Sequence, residues 1–248
     1  MRTLSLENII SYLFAVISAA FSRLSLLLIM IINGKVMPKD EFGLFSILLL
    51  AAYFISGIVS GGGELWLNAF TKHEDIIHHR FPAVSRQYIR ISFGLAFFIF
   101  FITLAAPFVL TIQKVDIKAI QFAMIYGVIA GMNESIFAVL RSSNKVKSFF
   151  AIRDFLCPIL LVIVSLSISE FTAFKFFMIA TLVFGGLCAT ACYFLYAQRH
   201  KLPQTKAPFQ ELIPYTLNLI FNTLIFRIFT NIDIIVLAFF LPLSFVGY

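Results

Sequence analysis

The stretch "FGLFSILLLAAYFISGIVSGG", Phe42 to Gly62, decides the fold. It contains no charged residue, and it closes on glycine. At about 1.5 Å per residue, a helix over this run is long enough to cross about 30 Å of hydrocarbon. A soluble helix of this length would show a polar face at helical period, and this one has none. Runs of the same kind recur along the chain. Of the 248 residues, 60% are hydrophobic and only 12% are charged, against about 25% in an ordinary soluble domain. The expectation is an all-α polytopic membrane protein of about seven transmembrane helices.

The spans are expected at about Ile9–Ile32, Phe42–Gly62, Tyr88–Ile112, Ala119–Leu140, Phe149–Ser169, Thr172–Ala197 and Leu212–Leu241. The first is too long for a signal-peptide core and has no small-residue cleavage site after it, so it reads as retained. Positive charge sets the orientation. With the N-terminus in the cytoplasm, the inner segments hold twelve Lys and Arg and the outer loops five (Lys35, Lys39, Lys114, Lys118, Lys175). Arg23 and Arg227 fall within spans. The net charge of +7 is therefore read as loops held at the cytoplasmic surface rather than as a nucleic-acid footprint. The connections are short. The longest, Gly63 to Gln87, reads as a cytoplasmic loop. The polar segment "RHKLPQTKAPFQE", Arg199 to Glu211, is the one boundary-like stretch.

Little in the chain points to metal or enzyme chemistry. Cys157, Cys188 and Cys192 lie in apolar runs without metal-ligand spacing, and the four histidines lie in loops without a carboxylate cluster. No cofactor or metal site is expected. There is no GxSxG, HExxH or P-loop match, and the outer loops have about ten residues or fewer. A glycan polymerase or ligase would need a larger outward catalytic loop, so no enzyme is expected.

The informative residues are polar groups at membrane depth. An ionised side chain near the bilayer centre costs roughly 2.5–3.5 kcal/mol on insertion scales, so a partner, a wet cavity or a ligand must offset it. Arg23 and Arg227 are candidates for binding an anion, because a planar guanidinium donates two parallel hydrogen bonds to a phosphate. At 100° per residue, Tyr215, Asn218, Asn222 and Asp233 fall within about 60° of one another, with Phe226 and Phe229 on the same face. That polar–aromatic stripe suits a cavity and would be costly against lipid. Arg227 points about 120° away from Asp233, so the two are not a direct pair. Asp233 and Glu134 are candidate sites for a coupling proton or cation. The glycine pairs Gly57/Gly61 and Gly127/Gly131, and the small-residue stripe Ser11, Ala15, Ser18, Ser22, Ser25, read as helix-packing surfaces.

Three stretches carry a resemblance. "EFGLFS", Glu41 to Ser46, opens a span that closes on glycine. "DIIVLA", Asp233 to Ala238, is followed by Val246, Gly247 and Tyr248. "LRSSNKVK", Leu140 to Lys147, is a basic loop after the fourth span. Together they resemble the polysaccharide (Wzx-type) flippases of the multidrug/oligosaccharidyl-lipid/polysaccharide exporter superfamily, with Ala238 in place of the usual glycine. Arg23 in "FSRLS" is similar to a cavity arginine of the lipid II flippases in that superfamily. The resemblance implies two six-helix bundles around a central cavity. Residues 1–198 would be the first bundle, 199–211 a cytoplasmic linker and 212–248 the first helix of an incomplete second bundle. The chain would then be a fragment lacking about five or more spans. It also implies the function: moving a polyprenyl-diphosphate-linked oligosaccharide across the inner membrane during surface polysaccharide biosynthesis, by alternating access. Arg23 and Arg227 would meet the diphosphate, while Tyr215, Asn218 and Asn222 would meet sugars. The partners would be the lipid-linked oligosaccharide, membrane lipids and a coupling proton or sodium ion. The alternatives are a drug or cation antiporter of the same fold and a non-transporting membrane component of glycan assembly.

Overall fold

The computed structural model describes residues 6–61, 74–109, 117–142, 157–167, 172–198, 209–233 and 235–236. Among these, every regular element is a helix. The helices are α1 (Leu6–Val36), α2 (Lys39–Ser60), α3 (Glu74–Val109), α4 (Ile117–Ser142), α5 (Cys157–Ser167), α6 (Ala173–Gln198) and α7 (Phe209–Thr230). Four stretches, 39–60, 85–104, 117–139 and 173–193, are each long and apolar enough to cross a membrane. In hydrocarbon every backbone polar group must be paired within the segment, and the helix does that locally. Exposed apolar side chains such as Phe97, Phe98, Phe101 and Leu182 would face lipid in such a setting.

The helices over α2, α4 and α6 match the expected spans to within a few residues. The stretch 63–87, expected as a loop, is helical from Glu74 onward, and α3 is 36 residues long. Hydropathy reports where hydrocarbon ends, and a helix can continue past that point with charged residues on it. The linker residues 199–208 and the closing segment 237–248 lie outside the described residues, as do the side chains of Arg23 and Tyr215.

Helix α4 is the hub. It packs on α2, α6 and α3, while α7 docks on α2 and α1 lies against α5. Glycine permits the tightest of these approaches. A Cβ at Gly127 would lie 2.7 Å from the Ala52 carbonyl oxygen, and one at Gly131 would lie 2.6 Å from Val59 Cβ and 2.8 Å from the Ser56 carbonyl oxygen. No real Cβ makes such contacts, so the α2–α4 backbones can approach this closely only at glycine.

Helix α2 shows how its ends are satisfied. Pro38 occupies the N-cap, and Asp40 and Glu41 sit in the first turn, where negative charge complements the helix dipole. Glu41 also reaches across to α6, accepting the Ala173 N–H at 3.1 Å, while Thr172 Oγ1 accepts the Lys175 N–H at 3.3 Å. The acidic residue of the "EFG" motif thus caps a helix far along the chain. Beside it Phe45 is fully buried, edge-on to Phe176 with ring centroids 4.8 Å apart.

At the other end of α2, each of the last four carbonyls of the turn has a donor. Gly61, in the left-handed region at φ 55°, sends its N–H to Gly57 and Ile58. Ser92 Oγ donates to the Val59 carbonyl at 2.8 Å, and the Tyr88 hydroxyl donates to the Ser60 carbonyl. A helix normally leaves these carbonyls without an internal partner. Here two side chains of α3 supply donors. Ser135 of α4, 2.6 Å from Ser92 Oγ, ties the third helix into the same buried network.

Candidate functional site

The site grows from Arg227, the only charged side chain buried among the described residues. It projects from α7 onto α2. Its guanidinium carbon stands 3.8 Å from the centroid of the Tyr53 ring, and Nη1 donates to the Tyr53 carbonyl. That carbonyl lies one turn before Gly57. A Cβ at Gly57 would fall 2.8 Å from Arg227 Cζ and 2.9 Å from Nε and Nη1. The missing side chain at position 57 is therefore the space the guanidinium fills. The carbonyl oxygen has two lone pairs, so it can take the arginine without losing its own helical bond.

From α4, Glu134 completes the constellation. Arg227 Nη2 lies 3.4 Å from Glu134 Oε2. The side chains are 8% and 42% exposed respectively, so the cation is enclosed and the carboxylate is half open. A cation–π contact is worth up to about 2 kcal/mol when desolvated. A hydrogen bond to a charged group is worth about 1.5–3 kcal/mol. Together they are of the same order as the cost of holding an arginine at membrane depth.

Helix α7 breaks one turn past this arginine. Thr230 Oγ1 bonds back to the Phe226 carbonyl at 2.9 Å, and Asn231 Nδ2 to the Arg227 carbonyl at 2.8 Å. The Asn231 N–H then reaches the Ile228 carbonyl instead, at 3.2 Å. Side chains of this type compete with the backbone for carbonyls and tighten or end a helix. Helical bonding resumes with the Ile235 N–H on the Asn231 carbonyl.

The expected residues fall into three groups. Arg227 and Glu134, read as an anion ligand and an ion-coupling group, stand against each other. Asn218 and Asn222 on α7, and Asp233 just past its end, are exposed, together with Phe226 and Phe229. The turn at Asn231 lies between Asn222 and Asp233, so the helical period does not fix all three to one face, and no other described helix covers them. Arg23 and Tyr215 have side chains outside the described residues. Sequence reasoning missed Tyr53 and read Gly57 only as a helix-packing position. The available signal was an aromatic residue and a glycine four apart, one above the other on the same helix face.

Asn133, next to Glu134, turns the other way and donates to the Phe184 carbonyl of α6 at 2.9 Å, so it braces α4 and does not join the site. Among the described residues, no three His, Cys, Asp or Glu side chains are grouped closely enough to hold a metal ion. No family model, curated protein or solved structure matches the chain.

Proposed function

We propose that this chain takes part in moving a polyprenyl-diphosphate-linked oligosaccharide across the cytoplasmic membrane by alternating access. In this reading it crosses the inner membrane seven times with its N-terminus inside. The first six spans, residues 1–198, form one bundle, and α7, docked on α2, opens a second, with a polar chamber on the side of α7 turned away from α2. Sugars and a diphosphate cannot cross hydrocarbon unaided, so such a chamber is what the task requires.

One observation carries the reading. Asn218 and Asn222 on α7, and Asp233 just past its end, are exposed and uncovered by any described helix. On a helix that enters hydrocarbon, a stripe of amides and a carboxylate is affordable only where water or a polar ligand meets it. The break in α7 after Arg227 adds support, because discontinuous helices near the midplane are where transporters commonly bind cargo. Asn218, Asn222 and Tyr215 would hydrogen-bond sugars, Arg23 and Arg227 would attract the diphosphate, and Asp233 or Glu134 would take the coupling proton or sodium ion.

The test uses a chain whose three cysteines have been replaced. Cysteines placed singly at 218, 222 and 233 are expected to react with a water-soluble, membrane-impermeant thiol reagent. Asn222→Leu and Asp233→Asn should each reduce surface glycan export while leaving protein abundance unchanged. Three unreactive positions, or normal export from both variants, would overturn the proposal. A second reading, a non-transporting membrane component of glycan assembly, is favoured by the engagement of Arg227 as an interhelical clasp. In that case export persists in both variants.

A further inference from the structure

The three contacts of Arg227 are unequal. Two of them fix it to α2: Nη1 on the Tyr53 carbonyl, and the guanidinium face on the Tyr53 ring over the gap at Gly57. The third, Nη2 to Glu134 Oε2, is 3.4 Å long. A charge-assisted N–H···O bond normally measures about 2.7–2.9 Å. It is also a single-point contact, although guanidinium and carboxylate can pair through two parallel bonds. The enclosed member is the cation and the open one is the anion. An incoming anion would therefore meet Glu134 first and would compete with it for a guanidinium already held in place.

We propose that Glu134 occupies the anion seat of Arg227 in place of a phosphate, and that the seat takes the diphosphate of a prenyl carrier by displacing the Glu134 carboxylate. A diphosphate brings more charge and more acceptor oxygens than one carboxylate, so it can win the exchange. Displacement frees α4 from α7 while the Tyr53 contacts still hold α7 to α2. Cargo binding would thus cut one interhelical link and spare the other. This rests on the flippase reading, and it assigns Glu134 the role of competing ligand rather than ion carrier.

The experiment is calorimetric titration of the full chain in detergent micelles with farnesyl diphosphate, farnesol and inorganic diphosphate. Wild type is expected to bind farnesyl diphosphate in preference to both of the others. Glu134→Gln should bind it about tenfold tighter, the equivalent of one weak charged contact removed from competition. Its amide oxygen can still accept from Nη2, so the fold is kept, and Glu134→Ala should shift affinity in the same direction. Arg227→Gln should lose the preference. Equal or weaker binding by both Glu134 variants, or an unchanged preference in Arg227→Gln, overturns this inference and leaves the flippase reading standing. Equal binding of inorganic and farnesyl diphosphate overturns the assignment to a lipid carrier. If wild type does not separate farnesyl diphosphate from farnesol, the flippase reading falls and this inference falls with it.

Discussion

Two glycine pairs with identical spacing do different things in this molecule. Gly127 and Gly131 on α4 meet backbone: a carbonyl of α2 lies within 2.7 or 2.8 Å of where either Cβ would be. Gly57 and Gly61, at the end of α2, do something else. Gly57 leaves room for the end of an arginine side chain, and Gly61 turns the chain at φ 55°. The first pair is a packing surface in the sense the pattern suggests. The second is a seat for a side chain followed by a helix cap. Spacing alone did not separate them. What separates them is whether the atom across the gap is fixed or can move.

That contrast can be broken by three alanine substitutions. Gly131→Ala should have the largest effect on stability, about 1–3 kcal/mol, because Val59 and the Ser56 carbonyl cannot retreat without parting α2 from α4. The fraction folded during titration of dodecyl maltoside micelles with SDS reads this out. Gly61→Ala should cost about 1–2 kcal/mol in the same assay, since an L side chain is strained in the left-handed region. Gly57→Ala should cost least, under about 1 kcal/mol, because the guanidinium is a flexible end that can swing aside. On the flippase reading it should nevertheless depress glycan export, since the guanidinium, shifted away from position 57 while keeping its partners, no longer presents Nη2 in the same place. A stability loss at Gly57 as large as at Gly131 would erase the distinction. Normal export from Gly57→Ala would show that the seat does not matter to transport.

Several features were legible in the residues. The apolar runs placed α2, α4 and α6, because a chain with so few charges in a bilayer has only the helix available to satisfy its backbone. The helical period put Asn218 and Asn222 on one face of α7, whereas the turn at Asn231 interrupts that period before Asp233. The start of α3 at Glu74 was not legible, because the charged residues that mark the end of hydrocarbon do not stop a helix. The "EFG" glutamate could be recognised as a motif, but its role as a cap on α6 could not, since its partner lies 132 residues away.

By itself the sequence determined that helices form, roughly where α2, α4 and α6 begin and end, and which residues share a face within an unbroken helix. These follow from backbone hydrogen bonding and a rise of fixed size, both properties of a few neighbouring residues. Only the tertiary structure decided that Arg227 meets Glu134, 93 residues earlier, and rests on Tyr53 above Gly57. Which helix lies beside which depends on the summed fit of whole surfaces, and no local stretch carries a signal for it.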